Sequence, residues 1–162
     1  ATTIVRTVMA RQGEIDALIH PELIQPILDK DKRVARLFPN YRDLEMDYFK
    51  RTGIFPIMHT TALKQEIVDK YPWVPINFYQ ALEASKRAAY KRMENPRIVP
   101  LSWFRSFWEE QEEILGADPW VYGLGDINRK ALDTLMQYSQ EQGLIGRKIG
   151  LDELFINTEA HS

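Results

Sequence analysis

The sequence predicts a helix-rich α/β chain, and three observations carry that reading. Residues 74–92, 102–115 and 126–142 repeat apolar side chains at helical spacing. Residues 15–19 and 54–63 are short apolar runs bounded by turn signals, the pattern of strands. A chain of 162 residues with 44% hydrophobic and 27% charged residues has the composition of a folded domain with a core.

In chain order, a short amphipathic stretch around Val5, Val8 and Met9 closes at Gly13. Ile15, Ala17, Leu18 and Ile19 then form the first strand candidate, ended by His20-Pro21 because proline cannot donate to a ladder. Residues 22–31 predict a short helix broken by Pro26, and residues 34–38 a short extended piece. Asn40 is the expected N-cap of a helix over residues 41–51, with Gly53 as its stop. Residues 54–63 are the best strand candidate, although Pro56 demotes it to an irregular or edge position. A short helix over 64–70 ends before Pro72.

The remainder reads as helical. In residues 74–92 the expected buried face is Val74, Phe78, Ala81, Leu82, Ser85, Ala88 and Ala89, with Lys86 to Arg92 supplying a solvated basic face. Ser102 is the expected cap of a helix carrying Trp103, Phe104, Phe107, Trp108, Ile114 and Leu115, stopped by Gly116. Asp126 is the expected cap of a third, with Ile127, Ala131, Leu135 and Tyr138 on one face and Gly143 closing it. Residues 151–155 make a last turn before a loose tail. Trp73, Trp103, Trp108 and Trp120 read as core or lobe-packing residues. Two strand candidates do not complete a sheet, so this pattern predicts part of a larger fold, or an assembly in which another chain supplies strands.

Composition removes several function classes. There is no cysteine, hence no disulfide, thiolate metal site or thiol nucleophile. A net charge of -2 provides no global field for nucleic acid or an acidic membrane. No apolar stretch reaches the roughly 20 residues that span a bilayer. Ala1 to Ala10 does not read as a secretory signal, and a cytoplasmic location is expected. No metal or nucleotide site is legible, and the sequence names no cofactor. There is no glycine-rich phosphate loop and no Ser/His/Asp arrangement.

Five blocks carry a resemblance. They are Gly13-Glu14-Ile15-Asp16-Ala17-Leu18-Ile19; Tyr48 to His59, with its Thr52-Gly53-Ile54-Phe55-Pro56-Ile57-Met58-His59 core; Tyr71-Pro72-Trp73 with Ala84-Ser85-Lys86-Arg87-Ala88; Asp118 to Leu124 with Asn128-Arg129-Lys130; and Gln140 to Leu144 with Asp152-Glu153-Leu154-Phe155. In order and spacing they resemble the C-terminal half of the 4,5-dihydroxyphthalate decarboxylase family, on the type 2 periplasmic solute-binding scaffold. The resemblance implies a two-lobed α/β fold. Residues 1–40 would end the second lobe, 41–155 would cross over and complete the first, and 156–162 would be a tail.

The implied reaction is loss of carbon dioxide from a dihydroxylated phthalate, giving protocatechuate. The same scaffold also implies an alternative, a solute-binding protein of an importer for a small organic anion, or an inactive partial homologue that needs a partner half. The implied partners are a small aromatic dicarboxylate and either a second copy or a complementary half, with no nucleic acid and no membrane.

The decarboxylation chemistry wants a proton donor over the ring and a guanidinium on the remaining carboxylate. His59, at the end of the best strand candidate, is the candidate for proton transfer; the alternative is a strand histidine bonded to backbone. Arg51 is the candidate carboxylate clamp, against a solvated cation at a helix end. His20 and Asp16 are candidate substrate contacts near the first strand, against ordinary loop side chains.

Overall fold

The computed structural model describes residues 16–158. The expected opening stretch, the start of the first strand candidate and the last of the tail lie outside these residues. The chain divides into two units, Ala1–Leu44 and Glu45–Ser162.

In the first unit the regular element that is complete is α1, Gln25–Leu28. Pro26 does not break it. It sits in the first turn, where a missing N–H costs nothing, and it is fully buried. Lys30 takes a left-handed φ of 56° just beyond the helix, and Asp31 returns its N–H to the Pro26 carbonyl at 2.9 Å. Asp31 then holds Arg33 through Nε at 3.1 Å and Nη2 at 2.8 Å. Arg36 lies over the Tyr41 ring at 4.7 Å. Helix α2, Tyr41–Thr52, spans the junction between the units. The Asn40 carbonyl accepts its Leu44 N–H, and Gly53 ends it at φ 64°. Lys130 Nζ donates to the Thr52 carbonyl at that end.

In the second unit, α3 (Gln65–Lys70), α4 (Val74–Met93), α5 (Phe104–Leu115), α6 (Asp126–Glu141) and α7 (Leu151–Leu154) follow, with a 3-10 turn at Pro96–Ile98. The helix-rich part of the expectation holds. Residues 16–19, 34–38 and 54–63 form no strand, and no strand occurs among the described residues. The physical reason is that a strand exists only as one side of a ladder, and no candidate finds another here. Two expected caps also move by one residue. Trp103 rather than Ser102 precedes α5, and Gly125 rather than Asp126 precedes α6, so Asp126 sits in the first turn near the positive end of the helix. No helix among the described residues is long and apolar enough to cross a membrane.

The core is small. Leu124, Leu132 and Leu151 are buried together, with Ile57, Met136 and Phe155 against them and Ala131 buried nearby on α6. The buried face of α6 therefore runs through Ala131, Leu132 and Met136, whereas Ile127, Leu135 and Tyr138 of the expected stripe are exposed. On α4 the inward row is Pro75, Tyr79, Leu82, Lys86, Ala89, Tyr90 and Met93, while Phe78, Ala81, Ser85 and Ala88 face out. Of the four tryptophans, Trp103 is exposed by 72%, Trp73 by 59% and Trp120 by 48%, so these three are not in the core of the described residues; Trp108 is half-buried. Their apolar faces meet too little surface within the described residues to be covered.

Candidate functional site

The best-organised constellation joins α4 to the loop between α5 and α6. Gly116, at φ 85°, turns the chain out of α5. Asp118 then folds the loop on itself, accepting the Trp120 N–H at 3.1 Å through Oδ1. The same oxygen accepts the Tyr90 hydroxyl at 2.9 Å, and Oδ2 accepts Lys86 Nζ at 2.6 Å. At the far end of the loop, Asn128 Nδ2 donates to the carbonyls of Val121 and Gly123 at 2.8 and 2.9 Å, which seats Leu124 in the core.

Lys86 is the hub. It is 8% exposed, so the expectation of a solvated face over Lys86 to Arg92 fails at its first residue; Arg87, Lys91 and Arg92 are exposed as expected. Besides Asp118 it meets Glu83 Oε1 at 3.0 Å and the Trp120 carbonyl at 3.1 Å, and it lies 4.5 Å from the centre of the Tyr122 ring. Burial works against its charge. The hydrogen bonds and charges of Asp118 and Glu83 outweigh that and hold its pKa above the ordinary lysine value. Burial likewise opposes ionisation of Asp118, but the bonds from Lys86 and Tyr90 hold its carboxyl below the ordinary range. Burial and then the bond to Asp118 push the Tyr90 phenol well up. At neutral pH Lys86 is thus an ammonium, Asp118 a carboxylate and Tyr90 a neutral phenol.

An apolar groove of about 500 Å³ opens beside it, between α4 and α5. Leu82, Ala89 and Met93 line one wall and Phe104 and Trp108 the other, with Tyr90 edge-on to Trp108 at 5.7 Å. All three ammonium protons of Lys86 have acceptors, so it is a tie between helix and loop and offers no donor to an incoming carboxylate.

The residues singled out from the sequence fall in both units. Asp16 and His20 belong to the first unit, Arg51 and His59 to the second. Asp16 is exposed, and His20 Nδ1 accepts the Glu22 N–H at 3.1 Å. Arg51 is exposed at the end of α2 and donates through Nε to Asp47 Oδ2 at 2.8 Å. His59 is exposed on the segment between α2 and α3. The Lys86, Tyr90 and Asp118 cluster was not singled out as a site. Its signal was present: Lys86 has Leu82 four residues before it and Tyr90 four after it, which places it inside the apolar row.

No family model matches this chain. It is nonetheless distantly related to an enzyme. The chain is 28% identical over 145 residues to 4,5-dihydroxyphthalate decarboxylase of Comamonas testosteroni. The match takes in 88% of this chain and 44% of that enzyme, so the chain spans less than half the length of its relative.

Proposed function

We propose that this chain supplies part of a carboxy-lyase for a hydroxylated aromatic dicarboxylate, with 4,5-dihydroxyphthalate as the first substrate to test. The observation that carries the reading is the relationship to the decarboxylase along 88% of the chain. On this reading the chain belongs to a two-lobed α/β protein whose cleft it helps to wall.

The reaction sets the roles. Ionising the ring hydroxyl para to the departing carboxylate raises electron density at the carbon that bears it. A general acid protonates that carbon, the bond to the carboxylate breaks, its electron pair restores the aromatic ring, and carbon dioxide leaves. His59 is the proposed acid. Its ring makes no hydrogen bond to a described residue, so it is available to a substrate. Arg51 is the proposed clamp on the carboxylate that stays. Its Nε is spent on Asp47, which steadies the guanidinium and leaves its two Nη groups for a planar, two-point contact. His20 and Asp16 are proposed substrate contacts from the first unit.

The test is carbon dioxide release from 4,5-dihydroxyphthalate by this protein, alone and mixed with the purified remainder of the Comamonas enzyme. Release by the mixture and little from the chain alone is expected. Substrate binding without release would favour a capture module, and neither binding nor release would overturn the reading.

A further inference from the structure

The net charge of -2 hides a segregation of charge. Residues 30–42 hold five basic residues, Lys30, Lys32, Arg33, Arg36 and Arg42, against one acid, Asp31, so the rest of the chain carries -6. With the flanking Asp29 and Asp43 counted, the stretch is still positive. All five cations are exposed. The acid is half-buried and occupied by the turn, its Oδ1 accepting the Arg33 N–H at 3.0 Å and its Oδ2 the same residue's Nη2 at 2.8 Å. The same stretch holds out apolar side chains, Leu37 exposed by 85% and Phe38 by 58%. Pro39 behind them confines Phe38 to extended backbone, and Arg36, lying over the Tyr41 ring at 4.7 Å, closes the base of the loop whose tip they form.

We propose that residues 30–42 seat the chain on an anionic lipid surface, with Leu37 and Phe38 entering the boundary between headgroups and acyl chains and Lys30, Lys32, Arg36 and Arg42 against the lipid phosphates. Cations alone would suit any polyanion. A leucine and a phenylalanine held out side by side gain only where an apolar phase receives them. A bilayer supplies both at once, phosphates that attract and acyl chains that take the tip. Tyr41, exposed beside the tip, has the amphipathic ring that favours headgroup level. A fluid surface also needs no matching groove or strand edge, which suits a stretch without helix or strand between α1 and α2. The expectation of no membrane partner rests on whole-chain charge, which averages this segment away. The contact is peripheral and does not depend on the proposed activity.

Co-sedimentation of the whole chain with vesicles tests this, using phosphatidylcholine alone and an equal mixture of phosphatidylcholine and phosphatidylserine. Binding to the mixed vesicles, little to phosphatidylcholine, and a steep fall as salt is raised are expected. Lys32→Gln and Arg36→Gln should each weaken binding by about fivefold, the share of one basic residue near a charged bilayer. Leu37→Ser with Phe38→Ser should weaken it by about tenfold or more at unchanged charge. These side chains are exposed, so urea unfolding of each variant should match the unaltered chain. No binding to the mixed vesicles, or equal binding to both kinds, would overturn the proposal. So would mixed-vesicle binding that survives the Leu37 and Phe38 changes, or binding to a single-stranded DNA or polyglutamate as tight as to the vesicles. Either result would mark the segment as a site for an acidic macromolecule, held by charge alone.

Discussion

Replacing Lys86 by methionine keeps most of the side-chain volume and the apolar stem while deleting the charge. Three acceptors then lose their donor: Asp118 Oδ2, Glu83 Oε1 and the Trp120 carbonyl. Removing one member of a fully buried ion pair costs about 3–5 kcal/mol. The carboxylate partners here are only partly buried, their side chains 38% exposed at Asp118 and 19% at Glu83, so water recovers part of that. The expected cost is about 2–3 kcal/mol, with the loss concentrated in the join between α4 and the loop. Urea unfolding followed by tryptophan fluorescence measures it, because Trp108 and Trp120 flank the join. The double change Lys86→Met with Asp118→Asn should recover about 1 kcal/mol, since no stranded carboxylate then remains at Asp118. A cost below about 0.5 kcal/mol for Lys86→Met would refute the reasoning, because it would mean that water already screens the pair as it does at a surface.

Glu153 is held down to about 2 by hydrogen bonds from Arg147 and then from the Gly150 N–H. Its folded-state value is the lower one, so what it contributes is present above the ordinary glutamate value and is lost as pH falls toward about 2. Arg147→Gln should move the Glu153 midpoint upward in an NMR titration; an unmoved midpoint would detach the pair. Gly53→Ala should destabilise the protein by about 1–2 kcal/mol in the same urea assay, from the left-handed backbone alone, because the added methyl would meet only Lys130 Nζ at 3.5 Å. In the active assembly, His59→Asn should lower turnover by about 10²-fold or more, and turnover equal to the unchanged protein would remove His59 from the reaction. Arg51→Lys should raise the dissociation constant for the dicarboxylate, since an ammonium cannot reproduce the planar contact; an unchanged constant would return Arg51 to the surface.

The helices were legible because periodicity and stop signals agree locally. Residues 41–51 and 74–92 were expected where Tyr41–Thr52 and Val74–Met93 occur, and Gly53 and Gly116 end their helices with positive φ. The buried faces were less legible. On α6, Ile127 and Leu135 compete with Leu132 and Met136, and only tertiary contact with Leu124 and Leu151 decides which row turns inward. On α4, Lys86 counts as polar in any pattern until Asp118, 32 residues away, neutralises it. Strands at 15–19 and 54–63 were expected from apolar runs bounded by turn signals, but a ladder is a property of two segments and the sequence shows one at a time. The same limit applies to the expected site. Arg51 and His59 were chosen from position and chemistry, and neither reveals in sequence what stands opposite.

The ammonium of Lys86 has a consequence for the protein as a chemical reagent. Acylating and alkylating probes attack the unprotonated amine, and this amine is buried, fully hydrogen-bonded and kept protonated beyond the ordinary lysine range. Exposed lysines such as Lys64 and Lys148 have no such protection. Lys86 should therefore label last. The rate at which its tag appears in a peptide map becomes a clock for transient opening between α4 and the Asp118 loop, one that runs on the unaltered molecule.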